Sequence, residues 1–512
     1  MKYLFLLAFA LSLQSLISQN QFIDTSFGAY GGYTATEFDH ISLWYTNVLE
    51  HEESIYATHN DGNNDIWLVK HDLNGIVDID FGTDGTVLFA RTGRSFNALG
   101  QVNNLLGLTT DNKLIIAQGT NPHIYPNDNS LITKLNLNGS LDTTYGDNGR
   151  VFSPFNMVVD PLGAHKLADD TMYFVGFNSE VFPPNFIQDV LITRVNPDGT
   201  IDTNFGTNGM ITLPYDYQTY VPTQAIYKDE SIYIKFYQAE GDDYITKFDT
   251  DTLTYDTNFG VNGQLTIDNL SLDESSEAFL LDEQNNIYVA GSLPPGSGLD
   301  FEFFLCKYSG NNLDPNFGDN GIVRFNLIEN TETKTLVKAL NIHDDKILVL
   351  GTVYTWNGGP YEKIFFAEFQ LDGSRNLQFG IDGIIINELF DSHNNAFNYL
   401  HYEDSMIACG TCPLNVPSQN PCLIKFTKSP YLNVDDYQAN EINFYPNPTK
   451  DFIHFNTKEP ILSVDVFDMT GRLLRSQQAT QSKINMKSFN AGTYLINLYT
   501  AGAMQTLKII KR

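Results

Sequence analysis

Apolar residues along this chain come in short runs of four to six, some alternating and some unbroken, each closed by Asn, Asp or Gly. That pattern predicts strands joined by tight turns, and no segment between residues 20 and 430 carries a convincing helical period. The runs follow a fixed order. An acidic or polar turn leads into one strand: ESIYATH from Glu53, NKLIIAQG from Asn112, DTMYFVG from Asp170, ESIYIKF from Glu230, NNIYVAG from Asn285, DKILVLG from Asp345 and DSMIACG from Asp404. A second strand with a charged residue near its end comes next: WLVKH, LITKL, LITRV, YITKF, FLCKY, FAEFQ and CLIKF, starting at Trp67, Leu131, Leu191, Tyr244, Phe304, Phe366 and Cys422.

A third landmark is a turn holding an aromatic-Gly pair, with a second Gly three residues on. It reads IDTSFGAYG, VDIDFGTDG, LDTTYGDNG, IDTNFGTNG, YDTNFGVNG, LDPNFGDNG and RNLQFGIDG, with the paired Gly at 28, 82, 146, 206, 260, 318 and 380. These anchors are 54 to 64 residues apart, and an Asp stands four residues before six of them; before the last stands Asn376. A motif that recurs at a fixed period is a building unit, not a site. The structural set is Asp78, Gly82, Gly85, Asp142, Gly146, Gly149, Asp202, Gly206, Gly209, Asp256, Gly260, Gly263, Asp314, Gly318 and Gly321. The Gly residues supply positive φ, the Asp side chain caps its own turn, and the aromatic is placed to plug the space between neighbouring sheets.

The two ends of the array are complementary. The chain enters on the turn at Phe27 without its preceding strand and leaves on the strand at Cys422 without its following turn. Joining them completes one unit from both ends and removes the exposed sheet edges. The expected fold is therefore all-β, a seven-bladed β-propeller over residues 19–430 of about four strands per blade, followed by a small C-terminal β-sandwich; an open β-solenoid is the alternative. The repeats resemble the delta-60 family, with its L-x-x-D-x-x-F-G-x-x-G core. That resemblance covers about four fifths of the chain and implies a propeller-forming, secreted or surface protein with no agreed activity to carry over.

After about Asp435 composition and motif change. Residues 431–440 read as a linker, and 441–512 as a separate domain with the strands EINFYPNPTKDFIHF, SVDVFDMTGRLLRS, AGTYLINLYTAG and QTLKIIKR. This part resembles the type A sorting domain of the type IX secretion system, through Tyr445, Pro446, Asn447 and Pro448, the Asp468 to Gly471 turn, Gly492 with its neighbours, and the basic end at Lys508, Lys511 and Arg512. The resemblance implies a β-sandwich that addresses the chain to the outer-membrane translocon and is removed by a sortase, leaving the rest released or attached to the cell surface.

Residues 1–18 combine Lys2 with an apolar run and small polar residues near Ser18, the pattern of a signal peptide too short to span a membrane. Acidic residues number 61 against 30 basic, a formal charge of −31. Such a surface repels nucleic acid and anionic membranes, and it fits a soluble monomer outside the cell. The four cysteines suit an oxidising compartment: a hairpin disulfide between Cys412 and Cys422 is expected, with Cys306 a buried thiol. In the repeat register Cys409 ends a strand and Cys412 begins a loop.

Candidate chemistry is sparse. There is no G-x-S-x-G elbow, P-loop or H-E-x-x-H helix. His51, His59 and His71 lie close in sequence without metal spacing and read as surface or turn residues. The loop with Asp61, Asn63 and Asp65 clusters oxygen ligands and is where calcium would bind, the one cofactor considered. The repeats differ most in five inserts after the same strand, at 121–129, 177–188, 292–302, 353–362 and 411–421, and these carry Tyr125, Phe182, Tyr354, Trp356 and Tyr361, aromatics of the kind that stack on sugars or peptides. The expected function is non-catalytic recognition of a glycan or protein through that loop face. The alternative is a propeller glycoside hydrolase or polysaccharide lyase.

Overall fold

The computed structural model describes residues 22–35, 42–61, 65–91, 105–119, 130–155, 157–178, 189–215, 220–238, 242–267, 275–293, 302–325, 327, 333–355, 361–387, 395–415, 418–429, 443–456, 461–468, 472–478, 483–499 and 504–512. Among these there is no α-helix. The chain is all-β and divides into two compact units, one ending at Tyr431 and the other running from Leu432 to Arg512.

In the first unit the described strands form seven antiparallel sheets of four or five strands, each built from consecutive strands. The first sheet is typical: Ser42–His51, Ser54–Asp61, Asp65–Asp72 and Thr86–Arg91 lie in that order. The seventh is the exception. Its strands Asn395–His401, Ser405–Asn415 and Ser418–Thr427 are completed by Tyr33–Ala35 from the other end of the chain, with Tyr33 opposite Ile424 and Ala35 opposite Cys422.

Both faces of most sheets are covered, which is why the strands read as unbroken apolar runs. Ser130–Leu135 and Met172–Asn178 are buried at every position. The buried side chains fall into seven clusters, one at each seam between successive sheets; the seventh sheet meets the first through Ile407, Cys409 and Leu423 against Tyr45, Ile55 and Val69. Opening strands also touch from sheet to sheet: Ser42–His51 meets Leu105–Leu108, Leu105–Leu108 meets Val159–Lys166, and so on round to Asn395–His401, which meets Ser42–His51. The seams form a closed circuit.

The repeated turn locks each seam. In all seven copies the residue at the Asp position donates its backbone N–H to the carbonyl of the charged residue in the preceding strand, and its own carbonyl accepts from the aromatic three residues later. The Asp carboxylate also accepts the N–H two residues on, as Asp202 does from Asn204 at 3.0 Å. Phe27, Phe81 and Tyr145 then meet glycines of the next sheet, Gly75, Gly139 and Gly199: a Cβ on Gly75, which has φ +79, would lie 2.5 Å from Phe27 Cζ. Only glycine leaves room for the ring there.

The second unit holds a three-stranded sheet, Asn443–Tyr445, Phe452–Asn456 and Lys483–Asn485, and a four-stranded one in the order Leu473–Gln478, Ser463–Asp468, Gly492–Tyr499, Met504–Lys511. One apolar core, with Ile453, Val466, Ile484, Ile496 and Ile509, serves both.

Candidate functional site

The ends of the second and third strands of each sheet flank the inserts expected to carry function. Tyr125, Phe182, Trp356 and Asn63 of the expected calcium loop lie outside the described residues, as do the expected leader 1–18, the expected linker 431–440 and Gly471. Tyr354 and Tyr361 are not loop residues: pairing of Lys346–Thr355 with Tyr361–Gln370 runs on to Thr355 opposite Tyr361. The same extension takes up much of the 411–421 insert, where Cys412 pairs with Asn420 inside the ladder instead of opening a loop. Aromatic and β-branched residues continued the ladder past the common repeat boundary. Cys412 and Cys422 form a disulfide, and Cys306 and Cys409 are buried thiols outside it.

Tyr354 is half-buried and turned to its neighbour sheet. Burial first, then the Glu362 carboxylate, push its hydroxyl up to about 12 against the opposing hydrogen bond with Asn395. Thr352 Oγ1 donates to the same Asn395 Oδ1 at 2.9 Å, and Asn395 N donates to Thr411 Oγ1 at 3.1 Å. The sixth sheet is thus tied to the seventh.

Similar polar ties join the other sheets. Ser292 Oγ donates to the buried Glu277 at 3.0 Å, and that carboxylate also accepts the Val337 N–H of the sixth sheet. One sheet earlier, Lys235 Nζ donates to the Ser276 carbonyl at 2.6 Å and stands 4.0 Å from Asp243, both side chains being 0% exposed. Ser276 Oγ and N donate to that Asp243 carboxylate. Burial pushes Lys235 down and Asp243 up, each toward its neutral form. A lysine with a lowered pKa beside a carboxylate has the makings of an acid-base pair. Here it has no solvent access and spends its donors on the fifth sheet. Between the seventh and first sheets, Asn398 Nδ2 donates to Asn47 Oδ1 at 2.7 Å.

A β-bulge aims these groups. The opening strand shifts register at Tyr45/Asn47, Pro161/Gly163, Pro222/Gln224, Ser276/Ala278, Val337/Ala339 and Ala396/Asn398, six times at one level. A bulge leaves one residue out of the ladder and re-aims its neighbours. Gln224, just past its bulge, both donates to and accepts from the Phe279 backbone of the next sheet, at 3.2 and 3.0 Å.

Asp61 and Asp65 are both buried. Asp61 accepts the Asp65 N–H at 2.9 Å and Trp67 Nε1 at 3.2 Å, so its two oxygens staple their own hairpin. No group of three or more His, Cys, Asp or Glu side chains suited to a metal occurs among the described residues. His59 and His71 are not surface residues: both are 0% exposed, with Tyr45 Oη 3.1 Å from His71 Nε2, and burial drives His71 down to about 4. Their place at the ends of apolar runs was the available signal.

Charge pairs mark the repeat itself. Lys70 meets Asp78 at 2.7 Å, Arg194 meets Asp202 at 2.5 Å, Lys247 meets Asp256 at 3.1 Å and Lys307 meets Asp314 at 2.9 Å. Asp142 is met by Lys113 at 2.7 Å and Lys134 at 3.7 Å; burial raises its pKa, but Lys113 and Thr144 bring it to about 2. Lys425 meets Asp24 at 3.0 Å across the joined chain ends. Where Asn376 replaces the Asp, Glu368 replaces the cation, and the Asn376 amide donates to it at 2.5 Å. At the same end of the sheets the hairpin turns Glu52-Glu53, Asp229-Glu230 and Asp344-Asp345 have φ between 46° and 59°.

In the second unit Asn447 clips the last strand: its Nδ2 donates to the Lys508 carbonyl at 3.0 Å and its Oδ1 accepts the Ile510 N–H at 2.8 Å. Tyr445 is exposed and stacks on His454. Residues 443–512 match the family described as the secretion system C-terminal sorting domain. The second unit is a type IX sorting domain. A chain carrying this sorting domain is exported, and is secreted or attached to the cell surface; the sorting domain engages the secretion machinery. No helix among the described residues is long and apolar enough to cross a membrane.

Among curated proteins no sequence matches the chain. Solved structures with some likeness include a PL25 ulvan lyase, at 10% identity and TM-score 0.45 over 77% of this chain and 96% of that one. The phage phi92 endosialidase matches at 10% identity and TM-score 0.37, over 94% and 87% of the two chains. These likenesses are too distant to bear on activity.

Proposed function

We propose that the first unit is a seven-bladed β-propeller, each sheet one blade, and that the sorting domain, a small β-sandwich, delivers it to the cell exterior as a recognition module for a glycan or protein. The closed circuit of seams supports the blade count, as does the resemblance of the repeats to the delta-60 family. Sortase cleavage in 431–440 would then separate the two units.

One observation carries recognition over catalysis: the buried charged groups Lys235, Asp243 and Glu277 are spent on neighbouring sheets. Groups committed in this way hold a scaffold rigid, and a rigid scaffold with varied hairpins is how loop-borne binding surfaces are built. Contact with the ligand then falls to the inserts, through Tyr125, Phe182 and Trp356, with Tyr354 and Tyr361 supporting them from the ladder ends. The test is a glycan and peptide array probed with the full chain, with and without calcium, beside a W356A/Y361A variant. Binding that the variant loses supports the proposal; equal binding by both proteins places the ligand elsewhere and contradicts it.

A further inference from the structure

At the hairpin-turn end of the seam between the sixth and seventh sheets, two imidazoles lie face to face. His343 ends the opening strand Thr333–His343 and His401 ends the opening strand Asn395–His401; their centroids are 4.0 Å apart with planes within 5°. Tyr399 stands edge-on to His343 at 6.0 Å, and its hydroxyl accepts from Asn341 of the sixth sheet at 3.2 Å. The stack is therefore part of the contact that joins the two sheets.

The surrounding charges are mixed, Asp344 and Glu368 favouring a proton and Lys346 and Lys428 opposing it, so burial and the stacking of the two rings decide. From the sixth sheet, Asp344, Lys346 and Glu368 face the pair; from the seventh, Lys428 faces both rings. Lys428 in turn faces Asp404, and Glu368 is already held by Asn376. Two protonated rings would place like charges a ring-stack apart beside two lysines. The seam between the third and fourth sheets offers a contrast, because there His165 stacks on Tyr227 at 4.9 Å and only one of the two rings can gain charge near neutrality.

We propose that the His343–His401 stack is an acid-sensitive latch: neutral, it joins the sixth and seventh sheets, and protonated, it parts them, so this seam loosens ahead of the others. Burial lowers both imidazoles, His401 to about 4 with help from His343 itself. Their contribution is thus complete above the ordinary value of 6.5 and is lost as pH falls from there through about 4.

Hydrogen exchange on the full chain at pH 7.5 and pH 5, corrected for intrinsic rates, reads this seam by seam. Protection over 333–343 and 395–401 should fall about tenfold more than over 159–166 and 220–228. In an H343F/H401F protein, which keeps two stacked rings without a titrating group, that excess should vanish; His71 and His165 act equally in both proteins. Equal loss at the two seams, or an unchanged excess in the variant, overturns the proposal. If the double variant does not fold, H401F alone makes the pair resemble His165–Tyr227 and should show the same levelling, and the wild-type comparison of the two seams decides independently.

Discussion

Glu368 and Asn376 show how far single residues of the repeat are interchangeable. Six copies place a cation against an Asp, and the seventh reverses the arrangement with an acid against an amide. Glu368 is 4% exposed, so E368K alone should set a lysine against an amide in a buried position and cost about 2 kcal/mol. The double variant E368K/N376D rebuilds the common pair and should recover at least half of that, read as coupling in a urea-unfolding cycle. An additive double variant would mean that the pair carries no seam energy. The reversal was visible in the sequence as FAEFQ and RNLQFG, two departures from one repeat. The buried Lys235 was not: its partners Asp243 and Ser276 belong to no motif, and a lysine inside an apolar run was the sole trace.

At the scale of elements, strand order and turn chemistry were legible because each repeat carries the same local signals, and seven copies average out the noise of one. Bulges and strand ends were not, since they depend on the neighbouring sheet: the bulge at Ser276/Ala278 serves contacts with Asp243 and Val337 that no local pattern announces. The glycine under Phe27, Phe81 and Tyr145 is the strictest of these elements. Gly75→Ala forces a Cβ into the Phe27 ring at positive φ and should cost about 2–4 kcal/mol at the closing seam, measured by chemical denaturation. The hairpin between Ser405–Asn415 and Ser418–Thr427 is stapled by a disulfide across a separation of 10 residues, so C412A/C422A should lose about 2–3 kcal/mol. In the sorting domain, Asn447→Ala removes both clips on the last strand and should lower that unit's stability by about 1–2 kcal/mol, leaving the first unit's transition unchanged.

For the whole molecule, the first unit's two ends meet in one sheet, and the sorting domain follows as its own compact unit. Removing residues 443–512 should therefore abolish delivery to the cell exterior, seen by fractionating cells, while the unfolding transition of the first unit stays in place. The acidic surface, −31 overall, agrees with a protein that works in the open and meets neutral or cationic partners. The central claim is recognition without chemistry. It is tested most directly by incubating the full chain with the polysaccharide it binds best and following the polymer's length by size-exclusion chromatography and its new chain ends by reducing-end and ultraviolet assays. The account predicts a bound polymer of unchanged length; shortened chains that depend on the protein would contradict it.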